Sequence, residues 1–212
     1  MKVLSVGLMR LKDVLQIHGP DDNPITVRQL GDDPDYRPLL KEIQTSGESN
    51  IVLDCDPDKI LDILRQAREV KLMEDYQVSY VITSLNTHTI DFEELKFVRS
   101  NITSLRLIDP KSYELRNAVH DWEEGEKRFN RIYRISPEHV KTEAAVVHDA
   151  VRVFAAALQE LDSTDEISPI PMNCKQPTQW PHGLRIVNYM KLKTEHGITG
   201  PIVFDDLGFC QL

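Results

Sequence analysis

Cysteine is scarce in this chain, and charge is not concentrated anywhere along it. Cys55, Cys174 and Cys210 are three among 212 residues, with no CxxC and no metal-ligand spacing. So sparse and odd a set fits a reducing compartment, or a piece of a secreted protein whose partner cysteines lie elsewhere. No apolar run approaches the ~20 residues of a membrane span. The opening MKVLSVGLMRLKDVLQI carries Arg10, Lys12 and Asp13 where a signal peptide needs an uninterrupted apolar core, so the chain as written is expected to carry no export signal. The net charge is −9 without a dense Lys/Arg cluster, which argues against a nucleic-acid backbone as partner. HExxH, Walker, GxGxxG and GxSxG patterns are missing too, and with them the main evidence for metal hydrolysis, phosphoryl transfer, dinucleotide binding or a serine nucleophile.

What is present is organised around Asn50–Ser84. Ile51, Val52 and Leu53 form an apolar run without alternation, the mark of a strand covered on both faces. Asp56 or Asp58 can cap the following helix, with Pro57 pre-set for its first turn. Ile60, Leu61, Leu64, Ala67 and Val70 or Lys71 then recur at helical spacing beside Arg65, Arg68 and Glu69. Val78, Tyr80, Val81 and Ile82 make the next strand. A strand, a covering helix and a second strand of this length form a right-handed parallel crossover, so the fold class is α/β with a parallel sheet.

The remaining segments extend that pattern. Met1–Val6 reads as a strand stub, Leu8 to His18 as a helix stopped by Gly19-Pro20, and Ile25–Leu30 as a strand. A helix is expected over about 36–45 and a strand from Ile102 to Asp109. Long helices follow over about 112–129 and 141–161, the second apolar over more than one stripe, as in a helix packed on two sides. Asp162–Gly183 reads as a long loop. A last helix, about Leu184 to His196, is closed by Gly197, and a short strand, Ile202–Phe204, ends the series.

Candidate chemistry is thin. Ligands of parallel sheets bind at the carboxyl ends of the strands, here Gln29-Leu30, Asp54-Cys55, Thr83-Ser84 and Asp109. Two carboxylates beside Cys55 raise its thiol pKa, the wrong direction for a nucleophile, so Cys55 reads as structural. His148-Asp149, mid-helix, reads as structural or interfacial. His120 with Asp121, Glu123 and Glu124 reads as a solvated acidic face before a metal cluster. No catalytic, cofactor-binding or metal residue is assigned, and no cofactor. Asn101-Ile102-Thr103 is a glycosylation sequon.

Several segments, in order, resemble the amino-terminal domain of ionotropic glutamate receptors, closest to the kainate-type subunits. They are GLMRLKDVL (Gly7–Leu15), ITVRQL, RPLLKEIQTSGESNIVLDC (Arg37–Cys55), ILRQA (Ile63–Ala67), SNITSLRLID (Ser100–Asp109), TEAAVVHDAVRVFAAALQ (Thr142–Gln159), NCKQPTQWPHG (Asn173–Gly183) and GITGPIVFD (Gly197–Asp205). The resemblance implies a two-lobed clamshell similar to type I periplasmic binding proteins. Residues 1–135 would form the membrane-proximal lobe, 136–200 the C-terminal helical part of the distal lobe, and 201–212 a truncated crossover strand. It also implies that Asn101 matches a family sequon, and that Cys174 matches a cysteine whose disulfide partner lies in the first half of the distal lobe, absent from this chain.

The function implied is a non-enzymatic extracellular module for subunit recognition and assembly of a glutamate-gated channel in synaptic signalling. The chain would be a fragment without the agonist-binding and channel regions. Its partners would be other glutamate receptor subunits, in homo- or hetero-oligomers, on the extracellular side of the postsynaptic membrane, with membrane attachment only through parts of the full receptor outside the chain. The alternative is a small-molecule-binding protein of periplasmic type with an interlobe cleft. A third reading, a cytosolic α/β enzyme, finds no catalytic motif.

Overall fold

The computed structural model describes residues 2–5, 26–31, 33–168, 180–192, 195–205, 208, 210 and 211. The chain divides into two compact units, Met1–Arg106 and Leu107–Leu212.

The first unit is a five-stranded sheet with helices. Strands β1 (Lys2–Ser5), β2 (Thr26–Gln29), β3 (Asn50–Asp54), β4 (Ser79–Ile82) and β5 (Asn101–Ser104) lie in the order β2-β1-β3-β4-β5, all parallel. The stub expected at the N-terminus is thus an interior strand, paired on both sides. Helices α1 (Arg37–Thr45) and α2 (Pro57–Glu69) provide the cover. The helix expected over Leu8–His18 lies outside the described residues.

Register decides what each face of the sheet does. Ile51 pairs with Tyr80 and Tyr80 with Ile102, while Leu53 pairs with Ile82. These residues share a face and a core with Leu40 and Ile43 of α1 and with Ile60, Ile63, Leu64 and Ala67 of α2. Burying such side chains stabilises by about 1.5–3 kcal/mol each before entropy is counted. On the opposite face Val52 pairs with Val81 and Val81 with Thr103. Exposure climbs along this row toward the β5 edge, from 8% at Val52 to 45% at Val81, and Thr103 is exposed.

Local signals act as their chemistry requires, with one exception. Asp56 holds the N-cap position of α2 in extended backbone, but its side chain accepts no capping hydrogen bond, so Pro57 and the acidic first turn set the start. The helix ends on Lys71 in the left-handed region (φ 64°), with Leu72 N–H donating to Ala67 C=O at 2.9 Å, a glycine-type ending without glycine. Gln66 ties the preceding loop to α2, accepting from Tyr36 N–H at 2.7 Å and donating to Pro34 C=O at 2.8 Å.

The Tyr80 hydroxyl is buried and has no hydrogen-bond partner among the described residues. A desolvated, unpaired hydroxyl costs roughly 1–3 kcal/mol. Tyr80→Phe is therefore expected to match or exceed the parent in stability, by up to about 1 kcal/mol, read from the urea midpoint.

The second unit begins at Leu107. Helix α3 (Tyr113–Lys127) belongs to it, because Leu115, Ala118 and Val119 bury against Val140 and Ala145 and against Ile198. Ser112 caps α3, its hydroxyl accepting from Leu115 N–H at 3.2 Å. The strand expected to reach Asp109 stops at Ser104, and Leu105 is exposed while Ile108 enters this second core.

Helix α4 (Thr142–Thr164) is followed by α5 (Gly183–Leu192) and by β6 (Glu195–Gly197), β7 (Gly200–Phe204) and β8 (Cys210–Gln211), an antiparallel sheet in the order β6-β7-β8. The last helix was expected to run on to His196. It ends at Leu192, and His196 lies in a strand. The reason is the hairpin itself: Gly197 pairs with Gly200 around the two-residue turn Ile198-Thr199, and Gly200 takes φ 112°, which only glycine adopts without strain. Of the loop expected over Asp162–Gly183, α4 takes Asp162–Thr164, and residues 169–179, with Cys174, lie outside the described residues.

Candidate functional site

At the carboxyl end of β3, in the first unit, the polar groups satisfy one another. Thr83 Oγ1 donates to the buried Asp54 carboxylate at 2.6 Å, and Thr83 N–H donates to Leu53 C=O at 3.0 Å. The loop beyond β4 folds back on itself, with Thr87 Oγ1 donating to Ser84 C=O at 2.6 Å and Thr89 Oγ1 to Asn86 C=O at 2.8 Å.

Cys55 is half-buried and packs against the main core. Burial first, then the charges of Asp54 and Asp56, push its thiol up to about 11. Almost no thiolate exists at neutral pH, so the residue is no nucleophile. Alkylation at pH 7.5 is expected to spare Cys55 and to modify the exposed Cys210. Mapped by mass spectrometry, Cys55 labelling rises only as pH approaches 11.

In the second unit, His148-Asp149 turns out to be a structural fastener. Asp149 sits on the inner stripe of α4 with Thr142, Ala145, Val153, Ala157 and Leu161. Its Oδ1 accepts from Ile198 N–H at 2.8 Å, and its Oδ2 from Thr199 N–H at 2.9 Å and Thr199 Oγ1 at 2.7 Å. Burial pushes its pKa up, but the Thr199 and Ile198 hydrogen bonds, with one from His148, outweigh this and hold the carboxyl below its ordinary value. The sequence marked the residue but not its partners, fifty positions away.

The other sequence candidates are dispersed. Glu124 pairs with Lys127, and Glu123 accepts from Ile135 N–H at 2.8 Å. Asp121 lines a cleft of about 420 Å³ with Tyr113 and Asn117 of α3, His148 and Arg152 of α4, and His196 of β6. Among the described residues no three His, Cys, Asp or Glu side chains are placed to hold one metal ion. Asn101 is exposed at the head of β5.

A further unassigned feature is the outer face of α4. Val147 is 63% exposed, Val151 61% and Phe154 47%, and these residues follow one another at i, i+4 and i+7. Beside them a shallow groove of about 580 Å³ is lined by Trp122, Glu143, Ala144, Val147, His148 and Val151. Trp122 meets the His148 ring edge-on at 5.5 Å and walls the groove. The helix carries apolar residues on two sides, but packing on both, as expected from the sequence, is not seen among the described residues: the inner stripe is covered and the outer one exposed. Among the described residues no helix is long and apolar enough to cross a membrane.

The family profile described as "Receptor family ligand binding region" matches residues 5–211. Among curated proteins, the chain is 28% identical over 207 residues to "Glutamate receptor ionotropic, kainate 5" of Homo sapiens. It is 27% identical over the same length to the protein of that name in Mus musculus. The match takes in 95% of this chain and 20% of each relative, so the chain spans about a fifth of their length.

Proposed function

Because the chain belongs to the family of receptor ligand-binding regions, we propose that it is a non-enzymatic, extracellular recognition module that assembles with kainate-type glutamate receptor subunits. The observation that carries this is the match along nearly the whole chain to kainate-type receptors. Supporting it, the outer face of α4 is an apolar patch of the kind that marks interaction surfaces. In this reading residues 1–135 correspond to the membrane-proximal lobe, 136–200 to the helical part of the distal lobe and 201–212 to a crossover strand. Asn101 carries an N-linked glycan, and Cys174 is the half of a disulfide whose partner is outside the chain.

The test is co-expression with a kainate-type subunit in a secretory pathway. The parent chain is expected in the subunit's immunoprecipitate, and Val147→Glu with Val151→Glu to lower recovery at least fivefold while leaving the thermal midpoint within a few degrees. Secreted, folded chain that never accompanies a subunit would remove the assembly reading. A thermal-shift screen addresses the periplasmic-type alternative: a free amino acid raising the midpoint by mass action would favour it.

A further inference from the structure

The sequon sits at a particular place in the sheet. β5 is an edge strand, paired with β4 alone among the described residues, and a bare edge invites pairing with another chain. Native edges are blunted by charges, prolines, bulges or a covering segment. Asn101-Ile102-Thr103-Ser104 holds no charge and no proline, and its four residues pair with Ser79–Ile82 in unbroken register, so no bulge interrupts it. It is followed by Leu105, which is itself exposed.

Parity then fixes where a modification would lie. Ile102 turns toward the core with Tyr80, so Asn101 and Thr103 stand on the other face, beside Ser79 and Val81. This is the face that loses its cover toward the edge, leaving an aliphatic side chain at Val81 nearly half exposed in the middle of a strand. Neighbouring strands lie about 4.8 Å apart and alternate residues about 6.6 Å apart, so a sugar on Asn101 reaches Val81 from one strand and one pleat away. The sequon is also sterically open, since both Asn101 and Thr103 are exposed.

We propose that an N-linked glycan on Asn101 is the guard of this edge: its first N-acetylglucosamine lies over Val81 and Thr103 and keeps β5 from pairing with another strand. The inference rests on the extracellular reading above, since only a secreted chain meets the modifying enzyme. In the transfer, Asn101 Nδ2 bonds to C1 of the sugar of a lipid-linked oligosaccharide diphosphate. The C1–O bond to the diphosphate breaks, the lipid diphosphate leaves, and the amide nitrogen gives up one proton. The apolar face of the sugar ring and its acetyl methyl supply cover over Val81, which is nearly half exposed, and the rest of the glycan holds other chains away.

The experiment uses the full chain secreted from cells that leave high-mannose glycans. Intact mass reports occupancy and sedimentation over a concentration series reports association. Asn101→Gln and Thr103→Ala are expected to lose the glycan and to self-associate at concentrations at least tenfold lower than the parent. Thr103→Ser, which keeps the sequon, is expected to behave as the parent. Parent trimmed by endoglycosidase H to a single N-acetylglucosamine is expected to associate at concentrations between those of the parent and Asn101→Gln, and Val81→Ser on the Asn101→Gln background to restore part of the protection.

A fully glycosylated parent whose Asn101→Gln form associates no more readily would overturn the guard role and leave the extracellular reading standing. A secreted parent with no sugar on Asn101 would overturn the modification itself. Should the unglycosylated variants fail to leave the cell, the trimmed parent still decides the matter by NMR. A nuclear Overhauser contact between the N-acetyl methyl and the Val81 methyls is expected, and its absence sinks the proposal.

Discussion

Asp149→Ala is expected to cost the second unit about 3 kcal/mol, the range for removing a charged acceptor from several buried donors. The carboxylate receives two backbone N–H groups and one hydroxyl from Ile198 and Thr199, and nothing in an alanine answers them. The loss is local as well as global. Amides of the β6–β7 hairpin are expected to exchange faster, while those of β3 and β4 in the other unit keep their protection. Asp149→Asn is nearly as damaging, because its amide nitrogen is a donor placed among donors.

Gly197 enters the same account. A Cβ built there falls inside the Asp149 carboxylate, well within van der Waals contact, so Gly197→Ala drives the carboxylate off the turn. The two substitutions break one arrangement, and the double variant is expected to lose clearly less than the sum of the singles. Trp122 fluorescence under urea follows this core, against which Trp122 packs.

The pH dependence has a definite sign. Asp149 is held below its ordinary value near 3.8, so its contribution is complete above that pH and is lost as pH falls through the lower folded-state value. The stability gap between the parent and Asp149→Asn is therefore expected to be constant from pH 7 to about pH 5 and to narrow below about pH 4. A gap that narrows near pH 6 instead would assign the effect to an imidazole.

Leu53→Ala is expected to be the most damaging truncation in the first unit, at about 3–4 kcal/mol. Leu53 is fully buried on β3, between the sheet and both helices, where the surroundings are held by strands on either side and cannot collapse into the space. Val81→Ser, one strand over but on the opposite face, is expected to cost under 1 kcal/mol in the isolated chain. The contrast, read from urea midpoints at constant slope, tests the assignment of the two faces.

How much of this was readable beforehand follows from the range of the forces involved. The β3–α2–β4 unit was legible because each element carries its own pattern: the apolar run Ile51–Leu53, the stripe Ile60, Leu64, Ala67, and the strand around Tyr80. The apolar excess of α4 was legible for the same reason, but not that one of its two sides lies exposed. The place of α3 was not, since whether Leu115 and Val119 bury against the sheet or against Val140 and Ile198 is a tertiary choice that the helical stripe leaves open. The end of α5 was misread because Lys193, Thr194, Glu195 and His196 include no glycine or proline to stop a helix before Gly197, while the fastening of Ile198-Thr199 by Asp149 is a long-range contact. Asn101 was visible as a triplet; that it heads an edge strand over a half-bare face was visible only once the register was known.

The measurement that tests the central claim most directly is the binding of the purified, secreted chain to the extracellular region of a kainate-type receptor subunit, followed by sedimentation with the mass of the complex determined. The account predicts a defined complex containing both chains, weakened at least fivefold when Val147 and Val151 are changed to Glu. A folded, monodisperse chain that stays apart from the subunit at concentrations well above micromolar would contradict it.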